Sequence, residues 1–157
     1  MKVNIREAVE KDYPAILSLV KELAAFERSP NKVTNSLKQM KKEKQYFQSI
    51  VAENADGEIV GMAVYFFAYY TWVGKSLYLD DIYVKEHCRR KKIGTKLLKE
   101  VFKVAKKKNC KRVRWQVLNW NKPAIDFYKK YGATFSNKWN NCDFDENDIL
   151  KFNISDN

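Results

Sequence analysis

The hydrophobic pattern changes period along the chain. Val3 to Arg6 alternates as a short strand. Asp12 then stands ready to cap a helix in which Ile16, Leu17, Leu19, Val20, Leu23 and Ala24 recur at helical spacing, ending near Glu27 ahead of Pro30. Thr34 or Asn35 predicts the start of a second, largely polar helix running to about Lys44. Phe47 to Glu53 and Ile59 to Tyr70 read as strands joined through Asp56-Gly57, a pair suited to a tight hairpin turn. Trp72-Val73-Gly74 turns the chain again into a strand over Ser76 to Val84. After Gly94, the residues Leu97, Leu98, Val101, Phe102 and Ala105 mark a long amphipathic helix with lysines on its outer face. Val113, Trp115 and Val117 alternate as a strand. Pro123 opens a further helix through Tyr131, with Gly132 as its stop, and Phe135 to Phe144 predicts one more hairpin. The sum is an α/β fold: a mixed sheet with helices on its faces, in which only the central crossover is parallel.

At 157 residues, with 45% hydrophobic and 14% aromatic residues, the chain suits a single domain over 1–157 with an adequate core. No apolar run reaches membrane-spanning length, and Met1 to Arg6 lacks the features of a secretory signal, so a cytoplasmic location is expected. Cys88, Cys110 and Cys142 show no metal-site or redox spacing, and His87 is the sole histidine. These features leave no basis for a metal centre or a Ser-His-Asp triad.

Charge sharpens the picture. Of a net charge of +11, most lies between Lys85 and Lys111, where twelve Lys or Arg face only Glu86 and Glu100. Such a field suits nucleic acid, an anionic membrane surface or a phosphate-bearing cofactor. The strand ending at Val84 leads into Arg89-Arg90-Lys91-Lys92-Ile93-Gly94-Thr95 and straight into the long helix. The basic loop therefore sits at a helix N-terminus, where unpaired N–H groups and the helix dipole favour a pyrophosphate. The alternative, a nucleic-acid-binding protein with Trp115 and Trp120 as stacking partners, lacks any accompanying signature.

This loop resembles that of the GCN5-related N-acetyltransferase (GNAT) superfamily, Arg/Gln-x-x-Gly-x-Gly/Ala, with Arg89 and Gly94 at its ends. Lys92 replaces the usual first glycine; a lysine fits there at negative φ, its ammonium adding charge. The blocks Ile5-Arg6 with Asp12, Lys21 to Glu27, Tyr78 to Val84, Trp120 to Tyr128 and Tyr131 to Ala133 are similar to the diamine (spermidine/spermine) and thialysine acetyltransferase branch. The resemblance implies a GNAT-type mixed, mainly antiparallel sheet with helices on both faces, acetyl-CoA as cosubstrate, a small-molecule amine as acceptor and a homodimer. A catalytically weak acyl-CoA-binding regulatory domain is the other reading, since Lys92 and Asp80 both depart from the usual pattern.

By the same resemblance, Asp80 is the base, in place of the usual glutamate, and Tyr128 the acid that protonates the departing thiolate. The reference phenol pKa of ~10 keeps Tyr128 protonated at neutral pH. The backbone of Ile82, Tyr83 and Val84, the loop Arg89 to Thr95, Asn121 and Tyr128 would hold the cofactor, while Asn121 equally suits closing the turn before Pro123. Phe26, Glu27, Asp80, Arg114, Trp115 and Gln116 would line the acceptor pocket. Strict alternation along the strand lets only one of Asp80 and Asp81 face the cleft. Arg114 and the basic charge disfavour a polycation such as spermine and keep an aminoacyl amine such as thialysine open.

Overall fold

The first half of the chain holds four strands that pair strictly with their sequence neighbours, the longest of them an almost unbroken apolar run buried on both faces at its start. In the computed structural model, which describes residues 1–152, these are β1 (Val3–Glu7), β2 (Gln48–Asn54), β3 (Ile59–Tyr70) and β4 (Gly74–Val84), all antiparallel. A fifth strand, β5 (Arg112–Arg114), joins the far side of β4 in parallel, giving the sheet order β1-β2-β3-β4-β5. The β2–β3 turn rests on Asn54, whose Oδ1 accepts from the N–H of Asp56 and Glu58, and on Gly57 at φ +81°. Only glycine takes that conformation without strain.

Helices cover both faces of the sheet. Helix α1 (Tyr13–Phe26) buries Tyr13, Ile16 and Leu19 against Val51, Met62 and Tyr83. Helix α3 (Ile93–Lys107), the crossover between β4 and β5, buries Ile93, Leu97, Leu98, Val101 and Ala105 on the opposite face. The two faces are told apart at Gly61 and Met62. Met62 joins the α1 cluster, whereas a Cβ on Gly61 would lie 3.3 Å from the Leu97 side chain and 3.1 Å from the Tyr83 carbonyl oxygen. Gly61 is therefore what lets α3 settle closely on β3. Each buried isoleucine, leucine or valine of α3 contributes roughly 1.5–3 kcal/mol, and truncating the fully buried Leu97 to alanine removes about 2–5 kcal/mol.

The short helix α2 (Leu37–Lys42) is capped by Ser36, whose hydroxyl accepts from the Gln39 N–H at 3.2 Å, and not by Thr34 or Asn35. Asp12 flanks α1 but does not cap it. Its carboxylate accepts two bonds from Arg6, at 2.6 and 3.0 Å, and one from the Val9 N–H at 2.8 Å, pinning β1 to the start of the helix. The predicted strand through Val117 shortens to Arg112–Arg114, because beyond Arg114 the chain leaves β4 and has no partner strand to hold it extended.

Residues Met1–Leu118 form one compact unit and the chain from Asn119 onward forms a second. In the second unit, α4 (Lys122–Lys130) starts at Asn121, whose Oδ1 accepts from the Ala124 N–H at 3.3 Å, and ends before Gly132 at φ +83°. The hairpin expected over Phe135 to Phe144 is absent. Its few apolar residues are separated by Asn137, Asn140, Asn141 and Asp143, which favour turns, and the segment leads instead into α5 (Glu146–Lys151), capped by Asp145.

Candidate active site

The region around Asp80 departs from regular pairing on both edges of β4. On one edge, β5 pairs only with Ser76 to Tyr78, so among the described residues no strand lies beside Leu79 to Val84 there. Alternate backbone N–H and C=O groups of this stretch, which includes Ile82, Tyr83 and Val84, therefore point away from β3 with no ladder partner. On the other edge, Val64 pairs with Asp81 and Tyr65 with Leu79, so Asp80 is an extra residue in a β-bulge. Bulges re-aim side chains and frequently lie beside active sites.

The bulge changes the expected geometry of the acidic pair, because strict alternation breaks at Asp80. Asp81 comes onto the α1 face with Met62 and Tyr83, while Asp80, open at its surface, remains close enough to act on it electrostatically. Burial raises the carboxyl of Asp81, and the nearby charges of Asp80 and Glu27 raise it further, to about 7. Burial also raises Asp80 and Glu27 from their ordinary values. Three carboxylates thus share one neighbourhood, and the most perturbed is Asp81, the neighbour of the residue singled out from sequence. A carboxylate tuned to neutrality can take a proton from an ammonium and release it again near physiological pH.

Phe26 and Glu27 stand at the C-terminal end of α1. The Arg89 guanidinium lies over the Phe26 ring at 5.1 Å and the Tyr83 ring at 5.3 Å, and its Nε donates to the Val84 carbonyl at 3.1 Å. It ties the basic loop to the ends of α1 and β4. Between them lies a cavity of about 460 Å³ bounded by Glu22, Phe26, Tyr83, Glu86, His87 and Arg89.

With Arg89 engaged on rings, the charge the loop offers an anion comes from Arg90 and Lys92, both exposed and in no ion pair among the described residues; Lys91 donates to the His87 carbonyl. The condition under which a lysine fits there freely, a negative φ, is not met. Lys92 sits at φ +60°, ψ +14°, at the cap position of α3, and Arg90 is also left-handed at φ +62°. The chain must reverse sharply between the short turn Glu86–Cys88 and α3, and the left-handed corner that a glycine would take freely is imposed on a lysine. The first intrahelical bond runs from Lys96 N–H to Lys92 O, so the turn containing Ile93, Gly94 and Thr95 directs its N–H groups away from the helix body. A Cβ on Gly94 would make only ordinary contact, at 4.0 Å from Val84. These features fit the phosphates of an acyl-CoA: cations at the loop, an N–H-rich helix start and an unpaired strand edge for amide groups.

Arg114 lies in β5 on the same face as Tyr78, while Trp115 and Gln116 follow the strand. Arg112, which sequence reading passed over, shares Arg114's face; their spacing of two in a strand is the signal that finds it. In the second unit Tyr128 is buried on α4 beside Phe127, ring centroids 5.3 Å apart, and Asn121 is that helix's cap. The lysines of α3 lie outside its buried apolar face, so the basic segment is largely the solvated side of a packed helix.

Comparison with known proteins gives this geometry a context. The sequence model described as "Acetyltransferase (GNAT) family" matches residues 5–133, across both units. The chain is 42% identical over 142 residues to the thialysine N-epsilon-acetyltransferase of Bos taurus, covering 83% of this chain and 84% of that protein. It is 28% identical to the spermine/spermidine N(1)-acetyltransferase of Bacillus subtilis, covering 87% and 90%. Among solved structures, an integron cassette protein from V. cholerae superposes with a TM-score of 0.76 at 24% identity, covering 96% and 97% of the two chains, a likeness of fold. The chain belongs to the acetyltransferase (GNAT) family and is an acyltransferase.

Proposed function

We propose that this protein transfers the acetyl group of acetyl-CoA to a primary amine of a small molecule, by direct attack in a ternary complex, within one catalytic domain. The family uses acetyl-CoA as cosubstrate, which supplies an activated acyl group as a thioester. The observation that carries the reading is the bulge at Asp80, which places two carboxylates of raised proton affinity beside an unpaired stretch of β4. In this reading the backbone of Ile82 to Val84 aligns the thioester and its amide-bearing arm. Arg90, Lys92 and the first turn of α3 hold the phosphates, and Arg89 fixes the loop against Phe26. Asp81, assisted by Asp80, accepts the proton of the incoming ammonium, whose reference pKa is ~10.4. Tyr128 donates a proton to the departing thiolate, and Asn121 holds the start of its helix while adding an amide contact to the cofactor.

Similarity to thialysine and spermine/spermidine acetyltransferases supports an amine acceptor of either kind. The resemblance to that branch supports a homodimer, to be checked by sedimentation equilibrium. Three unpaired cysteines suit a reducing cytoplasm. The deciding experiment measures free thiol released from acetyl-CoA in a single turnover with a panel of amines. Wild type should react, whereas Tyr128→Phe and Asp81→Asn should slow the chemical step at least tenfold. No turnover with any amine would overturn the proposal.

A further inference from the structure

Arg89 opens the basic loop, yet its guanidinium packs on rings. It lies over Phe26 and Tyr83, its Nε donates to the Val84 carbonyl, and it forms no ion pair among the described residues. The Tyr83 side chain is itself buried, and its hydroxyl interacts with both Arg89 and Glu22. Burial raises that phenol, Arg89 opposes the rise and Glu22 adds to it. A guanidinium only donates and a carboxylate only accepts, so the phenol takes a hydrogen bond from Arg89 and gives its own to Glu22. Lys85, another cation that feels Glu22, is already paired with Glu58. A polar chain thus runs from Glu22 on α1 through Tyr83 on β4 to Arg89 in the loop.

What Arg89 anchors is a strained segment. Arg90 and Lys92 occupy left-handed corners at φ +62° and +60°, a conformation unfavourable for any residue with a Cβ. Such geometry persists only where its surroundings fix it. The side chains of Arg90 and Lys92 are exposed, so the fixed points lie around them. They are Arg89 just before the first corner, the Lys91 ammonium on the His87 carbonyl, and the Lys92 carbonyl, which accepts the first bond of α3. Glu22 and Phe26 stand four residues apart on α1, so one helix face supplies both the far end of the polar chain and a ring under the guanidinium.

On the acetyltransferase reading above, we propose that Glu22 and the Tyr83 hydroxyl are positioning residues for acetyl-CoA. They hold Arg89 against the end of α1, and through Arg89 they hold the loop whose Arg90, Lys92 and helix-start N–H groups receive the phosphates. Their part is indirect. Without the Glu22 charge the phenol is free to turn, Arg89 loses a fixed acceptor, and the two strained corners are free to relax. The loop must then be reordered each time the cofactor binds, so affinity falls while the carboxylates that handle the proton are left as they were.

The test titrates acetyl-CoA by calorimetry into wild type, Glu22→Gln, Tyr83→Phe and the double variant, with circular dichroism to confirm the fold. Each single variant should bind roughly three- to tenfold more weakly, the scale of one hydrogen bond in a half-exposed network. The double variant should be no weaker than the weaker single, because both changes break the same chain. In steady state, Glu22→Gln should raise KM for acetyl-CoA by the same factor and leave kcat within about twofold, a split that a general loss of packing does not produce. If Tyr83→Phe does not fold, Glu22→Gln, at a half-exposed helix position, decides by itself. Unchanged affinity in either folded single variant, losses that add in the double variant, or a fall in kcat matching the rise in KM would overturn the inference while leaving the acetyltransferase reading intact. Absence of acetyl-CoA binding and turnover in wild type would instead overturn the underlying reading, and this inference with it.

Discussion

Replacing Asp81 by asparagine should make the protein more stable at alkaline pH and less active, and the size of the first effect follows from the environment of the carboxyl. Its pKa is raised from 3.8 to about 7, first by burial and then by Asp80 and Glu27. The folded state therefore binds the proton more tightly than the unfolded state. Between about pH 4 and pH 7 the native protein holds the extra proton, so the contribution of Asp81 to stability falls as pH rises through that window and levels off above it. Three decades of pH at ~1.4 kcal/mol each set an upper bound of about 4 kcal/mol for the penalty at pH 8.5. Water reaches the partly exposed side chain, so about 2 kcal/mol is the working value. For a chain of this length that is a rise in Tm of about 4–8 °C for Asp81→Asn. Calorimetry from pH 4 to pH 8.5 should show the difference between variant and wild type growing with pH and approaching zero at the acid end. In parallel, kcat/KM of wild type should rise with pH through an inflection near 7, and the variant should lose at least tenfold in rate. A Tm difference of the same size at pH 4.5 and pH 8.5, or a variant less stable than wild type at pH 8.5, would refute the assignment of a half-buried carboxylate with raised proton affinity.

Three further outcomes follow. Lys92→Gly relieves the left-handed φ of +60°, so Tm should rise by about 1–3 °C for roughly 1 kcal/mol of strain less the entropy of a glycine. Calorimetric titration with acetyl-CoA at two salt concentrations should show a shallower salt dependence for this variant. Gly61→Ala puts a methyl 3.1 Å from the Tyr83 carbonyl oxygen and 3.3 Å from Leu97; urea unfolding should report a loss of about 1–2 kcal/mol. Asp12→Ala leaves Arg6 with only Glu53 and the Glu7 carbonyl, lowering stability by about 2 kcal/mol at pH 7. Because Arg6 holds the Asp12 carboxyl below its ordinary value, the wild-type advantage is full above about pH 4 and should vanish as pH falls through the lowered pKa.

Elements whose signals are local were readable from the chain alone. The Asp56-Gly57 turn fixed the β2–β3 hairpin, period-3.6 leucines and valines fixed α3, and Pro123 with Gly132 bracketed α4. The basic run before Gly94 marked the start of α3, because the end of a strand and the start of an amphipathic helix are both visible in the hydrophobic period. The hairpin over Phe135 to Phe144 failed for the converse reason, since scattered aromatics without sustained alternation do not specify a partner strand.

The sequence by itself determined the order of strands and helices through α4, the basic loop ahead of α3 and the residue types available for proton transfer. Each depends on neighbours within one turn or one hairpin. Tertiary structure alone decided that β3 skips Asp80 and brings Asp81 onto the α1 face, near Glu27. It also forced Arg90 and Lys92 into left-handed corners and set Arg112 and Arg114 around the Tyr70 ring. Those outcomes depend on strand register and on charges brought together from distant segments, and a carboxylate's proton affinity is set by the dielectric and the charges around it, which exist only once the chain has packed.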